Sequence, residues 1–379
     1  MSIKILATGD FQLDKRFGTL GKHAKAYRTQ LMATFEEVMT SEAAGHDLVL
    51  IAGGLFDRMA TPVRIIEQAA DILSRCPSTV VVLPGNHDPV ISGSPKALIE
   101  ALKNRNAEHV HVALKREPLR IDDLNITLYP APLFRKDDIS DLYGWMPPRE
   151  SADGVRIALM HGALDSLPDG QIPEDLAERM ELDVVVCGDQ HGPSLGNSED
   201  SPLFNLETSL NRRLYYSMAP EAQHINQNFI GAVLSLTMSK TGDIVSANRV
   251  NVGKIRFVKH TMNLVQDGGI EPVDSISAFF EPLAENNPQL SSIRLEITGE
   301  LDLEQKSAVD TALTNLQQQW PLLEVVDKID VAMETLEPVT PDGPLQRGIL
   351  EAMENQPGVS NELKQRVIEL LPILIGRCN

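Results

Sequence analysis

The chain contains only three cysteines, Cys76, Cys187 and Cys378, in 379 residues. They are too few and too scattered for a disulfide framework or a CxxC zinc site, so a reducing, cytoplasmic setting is expected. No apolar run approaches the ~20 residues of a membrane span. The opening Met1-Ser2-Ile3-Lys4-Ile5-Leu6 reads as a first strand and not as a signal peptide. There is no internal repeat and no low-complexity segment. Positive charge is in short supply: 34 Lys and Arg stand against 53 Asp and Glu, a formal net charge of -19. That balance argues against non-specific binding of nucleic acid over the whole surface. It leaves room for a local positive groove, a metal-mediated phosphate site, or nucleic-acid contacts lent by a partner.

What is present has the make-up of a globular protein, with 42% hydrophobic and 23% charged residues. The length asks for two or more domains. Over residues 1–250 short apolar strands alternate with helical stretches: Ile3–Thr8, Asp47–Ala52 and Thr79–Leu83 read as strands, and Ala24–Ala43 and Thr61–Arg75 as helices. Further strands are expected at Val110–Val112, Leu124–Tyr129, Arg156–Met160 and Asp183–Cys187, then Leu214–Tyr216, Phe229–Met238 and Ile244–Val250. This pattern predicts an α/β layered domain of two sheets with helices outside.

Residues 251–336 shift in composition and predict a separate, small α+β unit: strands at Ile255–Met262, Ile293–Thr298 and Leu323–Val331, helices at Val273–Leu283 and Asp302–Gln319. Residues 337–344, rich in proline, read as a semi-rigid linker. Residues 345–379 read as a helix pair, Leu345–Asn355 and Asn361–Ile375, broken at Gln356-Pro357-Gly358. The second of these helices is apolar almost all round and must be buried somewhere. Behind a proline linker, docking on a partner is favoured over folding back.

The chemistry gathers at strand ends. The first strand leads into Gly9-Asp10-Phe11-Gln12, the second into Gly53-Gly54-Leu55-Phe56-Asp57, the third into Gly85-Asn86-His87-Asp88. Later strands lead into Met160-His161-Gly162 and Gly188-Asp189-Gln190-His191. Taken singly, each is a polar turn of the kind that caps a helix. Taken together, they are what open α/β sheets present at the carboxyl ends of their strands, where ligands bind. The mixture of carboxylate, amide and imidazole suits Mn²⁺, Fe²⁺ or Zn²⁺. Elsewhere the ordinary readings hold: Cys187 as a small buried hydrophobe, His109, His111, His224 and His260 as surface or satisfied histidines, and Arg212-Arg213 as a solvated turn.

The order and spacing of these five turns resemble the calcineurin-like metallophosphoesterases, with their D-x-H, G-D-x-x-D, G-N-H-D/E, lone His and G-H-x-H motifs. Gly53-Gly54-Leu55-Phe56-Asp57-Arg58, Leu83-Pro84-Gly85-Asn86-His87-Asp88 and Tyr216-Ser217-Met218-Ala219-Pro220-Glu221 are similar to stretches of the SbcD-type DNA repair nucleases. The resemblance implies a two-metal phosphoesterase domain over 1–250, a DNA-capping domain over 251–336, and a helix pair gripping the coiled coil of an SbcC-type ATPase. It also implies self-association through the early helices and action on DNA ends. Asp10, Gln12 and His191 would form one metal half-site and Asn86, His161 and Asp189 the other. His87 would face the phosphate and the leaving oxygen, with Asp88 orienting its imidazole.

Three positions depart from the family pattern, and all fall in the ligand shell. Gln12 stands where the family has His, Asp189 where it has His, and Gly54 where it has the Asp that bridges both metals. Gln12 and Asp189 still offer oxygens; Gly54 offers nothing. Two divalent ions held close without a bridging carboxylate repel strongly, so one weakly bound Mn²⁺, or none, is expected in place of a tight pair. Two functions follow: an SbcD-like nuclease working with a remodelled site, or a pseudo-nuclease scaffold that binds the ATPase and DNA without cutting. A phosphomonoesterase is a weaker third, because the capping-like domain and tail helices speak against it.

Overall fold

The computed structural model describes residues 2–138, 140–167, 170–192, 205–264 and 271–331, together with residue 348. The linker and the helix pair expected over 337–379 therefore lie outside the described residues, apart from residue 348.

Two sheets pack face to face. The first holds β1 (Ile3–Thr8), β2 (Leu48–Ile51), β3 (Thr79–Val82) and β4 (Val110–Val112), parallel to one another. The second holds β5 (Leu119–Ile121), β6 (Ile126–Pro130), β7 (Val155–His161), β8 (Val184–Gly188) and β9 (Leu214–Tyr216), with only β5 antiparallel. Two late strands, β10 (Ala232–Met238) and β11 (Ile244–Asn251), return to the first sheet and extend it antiparallel beyond β1, giving the order β11-β10-β1-β2-β3-β4. Between the sheets Ile5, Leu50, Val81 and Leu234 meet Leu128, Ile157, Val184 and Tyr215.

The other face of the first sheet, with Leu6, Val49, Ile51 and Val80, is covered by α1 (Ala24–Glu37), α2 (Val63–Ser74) and α3 (Ser94–Lys103) through Leu31, Phe35, Ile66, Leu73 and Leu98. Successive strand side chains point to opposite faces, so strands covered on both sides must be apolar throughout. Leu48–Ile51 and Val184–Gly188 are buried at every position for that reason. Beyond the second sheet lie loops and the short helix α4 (Leu176–Arg179), while α5 (Leu206–Arg212) packs against β9 and β11. Each fully buried aliphatic side chain contributes about 1.5–3 kcal/mol. The expected helix over Ala24–Ala43 is α-helical only to Glu37; a π-turn over Val38–Glu42 and a 3-10 turn over Ala43–Gly45 complete it.

A third sheet is formed by β12 (Arg256–Asn263), β13 (Ser291–Leu301) and β14 (Leu323–Val331), with α6 (Pro272–Phe280) and α7 (Leu303–Gln319) between them in sequence. This unit, expected as α+β, alternates strand and helix, and all its strands are parallel. Parallel neighbours need a crossover, and α6 and α7 supply it. Asp302 starts α7 with a capping box: its side chain accepts from Gln305 N, and the Gln305 side chain returns to the Asp302 N–H.

Glu221 ties this unit to the first. Its carboxyl accepts from the Thr34 hydroxyl of α1 at 2.5 Å, from Lys254 N at 3.0 Å and from Ile255 N at 2.8 Å, just before β12. Burial pushes the Glu221 carboxyl up to about 7 despite these donors. A folded-state value above the ordinary 4.5 means that protonation favours the fold. That contribution is complete at acid pH and is lost as pH rises through about 7. Its size is about 1.4 kcal/mol for each pH unit separating the folded and unfolded values. Wild type is therefore expected to lose roughly 3–4 kcal/mol relative to Glu221→Gln as pH goes from acid to mildly alkaline. Urea unfolding of both proteins across that range checks this. Parallel curves would mean that the three donors, not burial, set the protonation of Glu221.

Candidate active site

Both main sheets send the carboxyl ends of their parallel strands to one end of the molecule, and the polar turns meet there. Asp10 and Gln12 follow β1, Gly53 and Gly54 follow β2, Asn86, His87 and Asp88 follow β3. His161 closes β7, and Asp189 and His191 follow β8. The loops after β1 and β2 continue the parallel pairing past the strands, with Asp10 N donating to Gly53 O at 2.9 Å and Gln12 N to Gly54 O at 2.8 Å. Asp10, Gln12 and Asp189 all take left-handed backbone conformations (φ 51°, 49° and 86°). Such conformations are rare away from glycine and gather at functional sites.

The two histidines are both anchored through Nδ1, but in opposite senses. His161 Nδ1 donates to Ala52 O at 2.7 Å, which leaves its Nε2 lone pair for the centre, the usual arrangement of a metal-ligating imidazole. His191 Nδ1 accepts from the Gln227 amide Nε2 at 2.9 Å, so a neutral His191 ring carries its proton on Nε2. His161 Nε2 is 3.7 Å from Asp189 Oδ1 and 3.1 Å from Asn86 Oδ1; His191 Nε2 is 3.6 Å from Asp10 Oδ1 and 3.5 Å from Gln12 Nε2. The carboxylate separations are too long for hydrogen bonds and close to the ~3.4 Å between two ligands of one tetrahedral ion. Asp10 Oδ1 is buried and has no hydrogen-bond partner, although Asp10 Oδ2 accepts from Asp189 N at 2.9 Å. An orphaned buried carboxylate oxygen facing an imidazole nitrogen fits a cation.

The fit is to a weak site. Among the described residues no three His, Cys, Asp or Glu side chains form a group that could hold a metal ion. Here each half has one carboxylate, one imidazole and one amide. Burial opposes a proton on His161, but Asp10 and Asp189 outweigh it and hold its pKa above the ordinary value. Around His191 burial prevails and the pKa falls.

Asp88 does not orient His87. Its Oδ1 accepts from Gly54 N at 3.2 Å and Gly85 N at 2.9 Å, and its Oδ2 from Phe56 N at 3.0 Å, so the carboxylate turns inward and clamps the loops after β2 and β3 together. Asp57 takes the orienting place, with its carbonyl 3.1 Å and its Oδ1 3.4 Å from His87 Nδ1. Its side-chain hydrogen bond raises the His87 pKa. Sequence reasoning also passed over Lys15, whose Nζ donates to Gln12 Oε1 at 2.7 Å, and Gln223, whose amide donates to Asp10 O at 2.6 Å. Neither falls in a recognisable motif.

A family model for calcineurin-like phosphoesterases matches residues 3–193, half of the chain. The chain belongs to that family. As a calcineurin-like phosphoesterase it is of a kind that uses divalent metals on phosphate esters, and its matched segment carries all five turns. No curated protein matches the chain. A solved structure of TT1561 from Thermus thermophilus aligns at 13% identity over 66% of this chain and 100% of its own, with a TM-score of 0.40. A second aligns at 10% identity over the same shares, with a TM-score of 0.39. Both likenesses are too distant to bear on what this phosphoesterase does. No helix among its described residues is long and apolar enough to cross a membrane.

Proposed function

We propose that this calcineurin-like phosphoesterase is an SbcD-like nuclease that hydrolyses phosphodiester bonds at DNA ends with a single Mn²⁺. Residues 345–375 would dock on the coiled coil of an SbcC-type ATPase, and residues 251–336 would act as the DNA-capping domain. The observation that supports hydrolysis is the anchored His161, whose Nε2 faces Asn86 and Asp189, with an unpartnered Asp10 oxygen in the same cluster. Asn86, His161 and Asp189 would hold the ion. When bound, such an ion supplies a hydroxide at neutral pH and polarises the phosphoryl oxygens. His87, its Nδ1 held by Asp57, keeps Nε2 for the substrate; its raised pKa suits it to protonate the leaving oxygen.

One observation favours the scaffold reading. No side chain reaches from position 54 to bridge two ions, and the backbone there has closed on Asp10. The deciding experiment is hydrolysis of a single-stranded oligonucleotide by the purified full chain. Cleavage with Mn²⁺ that stops on chelation is expected. Silence with Mn²⁺, both with and without an SbcC-type partner, would leave the scaffold reading in its place.

A further inference from the structure

We propose that the half of the site built from Asp10, Gln12 and His191 receives a phosphoryl oxygen of the substrate and not a metal ion, with His191 Nε2–H and the Gln12 amide N–H as its donors. The inference rests on the phosphoesterase reading above and gives the substrate its place in that same site.

Two groups that can only donate fix where the protons lie. Gln223 N donates to Gln227 Oε1 at 2.7 Å, so the other end of that amide, Nε2, is what faces His191 Nδ1 at 2.9 Å. An amide NH₂ donates, which makes Nδ1 the acceptor and leaves the proton of the neutral ring on Nε2. The Lys15 ammonium likewise claims Gln12 Oε1, at 2.7 Å. That turns the Gln12 NH₂ toward His191, with the two Nε2 atoms 3.5 Å apart. Two N–H groups cannot bond one another, and the contact is correspondingly long. Asp10 Oδ1, at 3.6 Å from His191 Nε2, is also too far to accept its proton. Gln12 is 1% exposed, so water does not freely replace the missing acceptor. A buried donor left without an acceptor costs about 1–3 kcal/mol.

The other half has the opposite polarity. His161 Nδ1 donates to Ala52 O, and Asn86 Nδ2 donates to Asp189 Oδ1 at 3.0 Å. The His161 Nε2 lone pair therefore meets Asn86 Oδ1 at 3.1 Å and Asp189 Oδ1 at 3.7 Å. Converging lone pairs suit a cation, and converging N–H groups suit the oxygen of an anion. Asp10 serves both halves, because its Oδ1 faces His191 and its charge helps to hold the His161 pKa up. Gln12, which stands where the family resemblance places a His, thus supplies a donor in place of a ligand. The ligand class is a phosphate ester or its phosphate product.

The tautomers are read from the imidazole nitrogen chemical shifts of the nitrogen-labelled, metal-free full chain, with the His191 signals assigned by their absence in His191→Ala. Neutral His191 is expected to carry its proton on Nε2; a proton on Nδ1 overturns the proposal. Calorimetry of Mn²⁺ binding, and of inorganic phosphate binding to the Mn²⁺-loaded protein, then separates the two halves. His191→Ala is expected to bind one Mn²⁺ within a few-fold of wild type and to weaken phosphate at least about tenfold, the scale of one good hydrogen bond. Gln12→Glu keeps the oxygen that Lys15 holds, puts an acceptor where the NH₂ was, and is expected to weaken phosphate by at least as much. Loss of the Mn²⁺ from His191→Ala would make His191 a metal ligand and overturn the proposal. Phosphate affinity unmoved in both variants, or no phosphate binding to wild type at millimolar concentration, overturns it too. Neither measurement requires turnover. Phosphate held through these donors by a chain that cuts nothing would refute the nuclease reading alone; cleavage with phosphate affinity unmoved in both variants would refute this proposal alone.

Discussion

His161→Ala is expected to lower Mn²⁺-dependent hydrolysis by at least about 10³-fold, the scale of losing the charge stabilisation that the centre supplies. His161 is as deeply buried as Asp10 and Gln12: it ends a strand that is buried at every position, and the residue is 1% exposed. Its Nδ1 bridges from the second sheet to the Ala52 carbonyl of the first, and its Nε2 faces Asn86 and Asp189. Alanine removes one of the three proposed ligands, a set that has no spare. It also removes the group whose pKa is held up, against burial, by Asp10 and Asp189. A proton on that ring in metal-free protein is the counter-charge to those two carboxylates. Its loss, with an unpaired Ala52 carbonyl worth about 1–3 kcal/mol, is expected to lower the melting temperature in the presence of chelator. Hydrolysis surviving in His161→Ala at the wild-type rate would place the reaction centre elsewhere.

The strands of the two main sheets were legible because burial on both faces writes a continuous apolar run, as in Thr79–Val82 and Val184–Gly188. What was missed follows the same logic in reverse. β5 has three residues, sits at a sheet edge and carries an exposed Arg120, so it has no such run. The 251–336 unit has strands and helices where periodicity put them, but periodicity carries no strand direction. The parallel βαβαβ arrangement had to come from the pairing register.

At the site, the turns were found because ligands gather at the carboxyl ends of parallel strands. Which neighbour serves which was not legible. Asp88 is adjacent to His87 in the chain and turns away from it; Asp57, thirty positions earlier, holds it. Lys15 and Gln227 carry no signal at all, because their roles arise only when the loop after β1 folds over Gln12 and the segment before β10 reaches His191.

Gly54→Asp is expected to destabilise the protein by roughly 2–5 kcal/mol and not to create a two-metal site. The family resemblance places a bridging carboxylate at this position, which makes the substitution look like a repair. The backbone argues otherwise. Gly54 has φ +65°, and a Cβ there would lie 2.5 Å from Asp10 Oδ1 and 3.0 Å from Asp10 Cα. A left-handed non-glycine residue costs about 1–2 kcal/mol by itself. Forced contact in a packed site adds about 1–3 kcal/mol, and a second carboxylate beside buried Asp10 adds like-charge repulsion. The loop cannot swing aside freely: Gly54 N donates to Asp88 and Gly54 O accepts from Gln12 N. Gly54→Ala separates these causes, since it keeps the backbone strain and the contact and omits the charge. Denaturant unfolding of both variants, with Mn²⁺ stoichiometry and oligonucleotide cleavage, checks the expectation. A stable Gly54→Asp that binds two Mn²⁺ and cuts faster than wild type would show that the loop relaxes around the new side chain. The chemistry of the chain would then have rested on that one missing carboxylate, and the single-ion reading would fall.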